Sequence, residues 1–390
     1  LNDYVRGQLS EKKKIKDLFV SVLKALDLQE NTALFGTLIS FGSNLCFGKH
    51  ETKFRELLKK DFGDLMNIIV NMVTFVIEKT QEDMKEQEEI KLIKSQKLKK
   101  KEKKRLAERE AIQKQKVKDL ILLKQVLCGF ISNLALEPSF RKFFAAEEFL
   151  EYIVSLLRIE EDRKNFDWIG SSERILAVLI NCSLATSAQE YLGKAGVFEL
   201  IEKFSVKAFY SEEYKDLIVR LMYLLSRLVS QPEVILKIVS SKTMMIRLFL
   251  YFNRQFPDLT PHVLKILYAV FKLKDKLADL IKEHEININN FVKESREMTQ
   301  EYMDTWNREK FINLAGLVSA FLDCFPNTAS EYTSLIQDLT AIIKDKVDLE
   351  RKNAAVLVAK LAKDETCKEA MRQNHTMQIL MSLGDNVLKT

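Results

Sequence analysis

Catalysis needs convergent groups, and the residue types that supply them are scattered through this 390-residue chain. The four histidines, His50, His262, His284 and His375, form no His-Glu-x-x-His and no Cys/His cluster at metal-ligand spacing. No zinc or iron site is expected from that pattern. Gly-x-x-x-x-Gly-Lys-Ser/Thr, Gly-x-Gly-x-x-Gly and Gly-x-Ser-x-Gly are all absent, so there is no phosphate cradle and no nucleophile elbow at the motif level. The carboxylate groups Glu147-Glu148 and Glu160-Glu161-Asp162 read as solvated acidic turns. The expectation is a protein without an active site, a metal or a cofactor.

The residues that stand out chemically are cations. The run Lys97-Leu-Lys-Lys-Lys-Glu-Lys-Lys-Arg105 places Lys97, Lys99, Lys100, Lys101, Lys103, Lys104 and Arg105 within nine positions. Such a run reads as a contact for nucleic acid, a localisation signal, a docking element for an acidic protein surface or polymer, or simply a solvated helix face. Nucleic-acid binding gains from aromatic side chains on which bases stack, and between Val76 and Leu127 there are none. An acidic protein or polymer therefore ranks ahead of nucleic acid as its partner. The net charge of +6 is modest for this length, so any attraction is local to the run.

The run sits in a segment, 78–118, dominated by Lys, Glu, Gln and Arg. Its apolar residues, Met84, Ile90, Ile93, Leu98, Leu106, Ile112 and Val117, look too sparse to bury a face. Acidic residues concentrate toward its start and basic ones toward its end, which suits a helix dipole, and many opposite charges lie four apart. A solvated helix or helical hairpin, or a partly disordered insertion, is expected there. It divides the chain into 1–77, the charged insertion 78–118, and 119–390.

Outside the insertion the pattern is helical and repetitive. Leu127-Cys-Gly-Phe-Ile-Ser-Asn-Leu-Ala-Leu-Glu-Pro138 is echoed by Leu176-Ala-Val-Leu-Ile-Asn-Cys-Ser-Leu-Ala185, and Gly196 follows fifteen residues after Asn181. Taking Asn181 as the polar residue that ends a repeat's last helix, the same phase finds Asn44, Asn133, Arg227, Lys272, Asp323 and Lys360. The middle spacings, from Asn133 through Lys272, suit a helical repeat of roughly 40 to 47 residues. The long gap from Asn44 to Asn133 must hold the insertion. Pro138 and Pro232 each fall five residues after an anchor, where one helix ends and the next begins. Ser171 and Ser172 are placed to cap a helix from Glu173 to Leu184, and Thr260-Pro261 to start one at His262. Between Asn289 and Lys310 the apolar pattern thins toward an exposed helix.

Charged residues at 30%, with only 5 Pro and 11 Gly, fit long helices and exclude a turn-rich β fold. The five cysteines, Cys46, Cys128, Cys182, Cys324 and Cys367, lie within helical patterns without a Cys-x-x-Cys pair. They read as small buried side chains in a reducing compartment, and a cytoplasmic location is expected. No apolar run approaches the ~20 residues of a membrane span, so no membrane partner is expected. The chain starts Leu-Asn-Asp-Tyr-Val-Arg without an initiator Met, consistent with a fragment of a longer protein.

The phrase Asn-Leu-Ala-x-x-Pro, an apolar helix, then Ala-Gly-x-x-x-Leu-Ile resembles the armadillo repeat. The resemblance implies an all-α, right-handed α-solenoid of about seven repeats, interrupted by the charged helical insertion. It also implies that a protein partner lies in a concave groove lined by each repeat's third helix. By position it points to Asn44, Asn133, Asn181, Arg227, Lys272 and Lys360 as partner-binding residues. The Trp that stacks on bound peptide in the family's transport receptors is missing: its slots hold Ser40, Gly129, Ala177, Tyr223 and Tyr268. Nuclear-import peptides are therefore not the expected ligand. The expected function is a non-enzymatic protein-binding scaffold or adaptor. One form of it is client binding, since some armadillo-type domains form the client-binding half of co-chaperones that also carry a tetratricopeptide array. The alternative is a structural, polymer- or nucleic-acid-associated protein acting through the basic segment 97–105.

Overall fold

The computed structural model describes residues 13–25, 27, 31–46, 51–95, 100–162, 168–208, 212–253, 257–273, 277–346 and 348–387. Among them there is no strand. The chain is an all-α solenoid in which helices pack in sequence, and it divides into two compact units, Leu1–Leu228 and Val229–Thr390.

In the first unit, helices α1 (Lys13–Ala25), α2 (Thr32–Leu45) and α3 (Glu51–Leu58) are followed by two long helices, α4 (Phe62–Lys94) and α5 (Lys100–Leu134). Then come α6 (Pro138–Phe144), α7 (Glu147–Asp162), α8 (Trp168–Cys182), α9 (Thr186–Lys194), α10 (Val197–Lys207) and α11 (Lys215–Leu228). α2 packs on α5, α5 on α8 and α8 on α11, a ladder of helices one per repeat. In the second unit, α12 (Pro232–Ser240), α13 (Lys242–Tyr251), α14 (Thr260–Phe271), α15 (Leu277–Glu283) and α16 (Ile288–Asp304) precede α17 (Arg308–Cys324). A 3₁₀ stretch, Pro326–Leu335, then leads to α18 (Ile336–Asp345), α19 (Asp348–Leu361), α20 (Glu365–Gln373) and α21 (Thr376–Val387). Here α14, α17 and α19 form the corresponding ladder.

Local chemistry explains the breaks. Pro138 and Pro232 open α6 and α12, where the missing N–H costs no intrahelical bond. Gly196 sits between α9 and α10 at φ +76°, the left-handed region that a residue without Cβ enters freely. Ser241, Asn287, Asn307 and Asp364 each accept a backbone N–H at the start of the following helix. Fully buried Phe252, Phe271, Phe291 and Phe321 gather in the core of the second unit, and each such ring removes a large apolar area from water.

Four sequence expectations differ from the structure. α8 begins at Trp168 rather than Glu173, so Ser171 and Ser172 lie inside the helix, with no exposure, instead of capping it. Thr260 is the first residue of α14 rather than its cap. α16 is not an exposed helix: Phe291, Val292, Ser295, Met298, Thr299 and Tyr302 recur at helical spacing and are buried. Glu160 and Glu161 do not form a solvated turn, since both are buried on α7, with Glu160 fully enclosed beside Lys124 of α5.

The charged segment is a helical hairpin made by the outer parts of α4 and α5. Val76, Thr80, Asp83 and Ile90 on α4 and Leu106, Gln113, Val117 and Leu120 on α5 are buried, at spacings of three, four and seven residues. Such spacing keeps one stripe facing a partner helix. The expectation of no buried face missed this because part of the stripe is polar: Gln113 donates to Asp83 across the seam, and Gln87 donates to the other Asp83 oxygen at 3.0 Å. Outside the seam Arg109 reaches Glu86 and Glu89, each at 3.1 Å, and Lys94 pairs with Glu110.

Candidate binding face and cleft

The polar anchors all fall at helix ends. Asn44, Asn133, Asn181, Arg227, Asp323 and Lys360 are the penultimate residues of α2, α5, α8, α11, α17 and α19, and Lys272 is the first residue past α14. The last four carbonyls of a helix have no partner within it. The asparagines meet that need in the neighbouring helix. Asn133 Nδ2 donates to the carbonyl and hydroxyl of Ser43 at 3.2 and 3.0 Å, and Asn181 Nδ2 donates to those of Ser132 at 2.8 and 2.9 Å. Ser43 and Ser132 are themselves the residues just before anchors. In the second unit the thiol of Cys324, next to Asp323, lies 3.4 Å from the carbonyl of Phe271, next to Lys272. Asn44 bonds within its own helix, to the Ser40 carbonyl at 2.8 Å.

The amide donors of Asn133 and Asn181 are thus engaged with protein, while their Oδ1 atoms have no hydrogen-bond partner among the described residues. From Arg227 onward the anchors change character. Arg227 donates to the Tyr223 hydroxyl at 2.9 Å and lies 5.2 Å from that ring. Lys272 places its ammonium 4.5 Å from the ring of Tyr268. Both are cation-on-ring pairs at i, i+4. Lys360 forms an ion pair with Asp323 at 2.7 Å.

One cleft accompanies the ladder of the second unit. It has a volume of about 730 Å³ and is bounded by the N-terminal half of α14, the end of α16 and the start of α17, with Asn353 of α19 at its margin. Tyr268 and Tyr302 both line it. Sequence reasoning singled out Tyr268 only as a departure from Trp and did not find Tyr302, which lies in the segment where the pattern thins.

In the basic run, Lys101, Lys103, Lys104 and Arg105 are exposed on α5 and make no ion pair among the described residues. Lys97 and Lys99 lie outside the described residues, and Lys100 is described only as the first residue of α5. Among the described residues no group of three or more His, Cys, Asp or Glu could hold a metal ion, and no helix is long and apolar enough to cross a membrane.

No protein-family model and no curated protein matches this chain. Among solved structures it is similar to an engineered protein from the Northeast Structural Genomics Consortium, at a TM-score of 0.54 and 11% identity over 98% of this chain and 84% of that one. It is similar more loosely to the Rif1 N-terminal domain from Saccharomyces cerevisiae, solved in complex with DNA, at a TM-score of 0.43 and 10% identity over 93% of this chain and 38% of that one. The first likeness concerns fold alone, and the second carries no argument. The class defined by helices and comparison together is an all-α, solenoid-like protein.

Proposed function

We propose that the protein is a non-enzymatic binding scaffold of armadillo type, which presents the exposed side of its ladder helices to a protein partner. One observation carries the reading: polar anchors recur at the ends of successive ladder helices, and at Arg227 and Lys272 each is the cation of a tyrosine–cation pair. Such pairs combine apolar area with charge, the composition that dominates protein interfaces. Binding the client of a chaperone or assembly factor is one role that such a surface suits.

The test is to replace Arg227 and Lys272 together by Glu and to identify proteins recovered with the tagged chain. Loss of a specific partner with unchanged helical circular dichroism is the expected result. Arg227 is half-buried, so if the double variant loses helical signal, Lys272→Glu alone, at an exposed position where a charge reversal costs little stability, takes its place. Full recovery of every partner by the double variant rejects the scaffold reading.

A second reading rests on the exposed cations Lys101, Lys103, Lys104 and Arg105 of the hairpin, which suit an acidic protein surface or polymer. An interaction lost when 84–112 is replaced by a short linker, and steeply weakened by salt, is what it requires. Affinity for duplex DNA or RNA falling linearly with log salt would turn this reading toward nucleic acid.

A further inference from the structure

We infer that one edge of the helical hairpin is a docking groove for an acidic amphipathic helix of a partner protein. This rests on the hairpin reading and gives its partner a shape as well as a charge.

The seam distinguishes the two edges. Val76, Asp83 and Ile90 on α4 and Leu106, Gln113 and Leu120 on α5 are buried at seven-residue intervals, and the bond from Gln113 to Asp83 sets their level. Glu86 and Arg109 each stand three residues after a seam position and pair at 3.1 Å, with Glu89 as a second partner of Arg109. Lys79 and Glu82 pair on the same side at 2.7 Å. That edge is closed by its own charges. The residue directly after each seam position lies on the other side of the seam.

This other edge combines apolar area with cations. Ile77 and Ile121, both half-buried, stand at its base. Next outward, half-buried Met84 lies level with exposed Lys114, and then exposed Lys91 lies level with exposed Ala107. Along the same flank of α5, Lys104, Ala111 and Lys118 are exposed at the same seven-residue interval. Among the described residues Lys91, Lys104, Lys114 and Lys118 form no ion pair, and Glu88 is the only carboxylate in the corresponding positions.

Two helices with a heptad seam present on their flank the groove into which a third helix packs, and the charges at its margins choose the partner. Four lysines against one carboxylate select a helix with acidic margins. Nucleic acid fits less well. Phosphate gains nothing from Met84 or the isoleucines, no aromatic side chain is present to stack a base, and Glu82, Glu86 and Glu89 on the closed edge oppose a duplex broad enough to cover both arms. A second copy of the same edge would set lysines against lysines. From Ile77 to Lys91 the groove runs roughly 21 Å along α4, the length of two heptads, so three heptads of partner helix cover it.

Fluorescence polarisation with the full chain tests this. The fluorescein-labelled probes are a 21-residue peptide with Leu at a and d and Glu at e and g, the same peptide with two central prolines that break its helix, the same with Lys for Glu, and a 21-nucleotide RNA, single-stranded or duplex. The Glu-Leu helix should bind at least tenfold more tightly than every other probe. Replacing Lys114 and Lys118 together by Glu should weaken it at least tenfold. Met84→Lys should weaken it as well, although it adds positive charge, and Ala111→Arg, at an exposed position, serves if Met84→Lys loses helical circular dichroism. Replacing Arg105 and Lys116, on the closed edge, by Glu should leave the affinity within threefold. Absence of binding, a proline peptide, Lys peptide or RNA bound as tightly, a gain of affinity with Met84→Lys or Ala111→Arg, or equal loss from the two edges each overturns the inference. If the Lys114 and Lys118 variant retains a partner that is lost when 84–112 is replaced by a linker, the groove is rejected and the hairpin reading stands.

Discussion

The side-chain amide of Asn181 donates to both the carbonyl and the hydroxyl of Ser132, 49 residues earlier, at 2.8 and 2.9 Å. The same contact links Asn133 to Ser43. The asparagine in the repeated phrase is thus a staple between the ends of adjacent ladder helices. Asn181→Ala leaves the Ser132 carbonyl, near the end of α5, without that donor. A destabilisation of about 1–2 kcal/mol follows, to be read from the midpoint shift in urea.

A second prediction concerns Lys124 and Glu160, an ion pair with no exposure on either side. Lys124→Met alone leaves the Glu160 carboxylate enclosed without its ammonium, a change that costs about 3–5 kcal/mol. Adding Glu160→Leu removes the stranded charge and should recover most of that loss in a denaturant titration. A double variant no more stable than the single would show that the pair stabilises the fold beyond its own neutralisation.

The third prediction concerns the thiols. Burial pushes Cys128 and Cys182 up to about 12, so at pH 8 both are protonated as well as enclosed. Thiolate is the reactive form. A disulfide reagent should label Cys324, which is half-buried, well before either, and should reach Cys128 and Cys182 only with unfolding. Mass mapping of the labelled sites over time decides it.

The fourth prediction concerns acid. Glu151 has its pKa lowered, chiefly by the Tyr191 hydroxyl and also by Arg158, and Glu161 is lowered by Lys207 and Lys203 against the opposing effect of burial. A carboxylate with a depressed folded-state pKa contributes stability above its unfolded pKa, and that contribution disappears as pH falls through the folded value. Thermal stability should therefore decline below the ordinary carboxylate range. Replacing Glu151 and Glu161 by Gln should lower it near neutrality and flatten the acid limb.

The ladder was legible in sequence because its signals are local: a polar residue closing an apolar helix, and Pro five positions later at 138 and 232. What remained hidden depends on partners distant in the chain. Asp83 and Gln113 look like solvated residues until they meet across a seam, and Glu160 looks like surface until Lys124, 36 residues earlier, is placed beside it. Ser171 and Ser172 are good caps in isolation, but α8 starts before them and encloses both. The cleft is less legible still, because it depends on a side chain missing from Gly316 between Tyr268 and Asn353, which come from other helices.

The hydrogen bond from Gln113 to Asp83 fixes which turn of one arm of the hairpin meets which turn of the other. The distance from the solenoid to the cations at 101–105 is then a matter of counting residues. Seven residues inserted in each arm between that bond and the tip would preserve the heptad phase and carry the charge outward by roughly 10 Å, whereas three or four would rotate it. The hairpin therefore works as a ruler, in which the reach of the positive charge and its direction can be varied separately without touching the repeats that hold it.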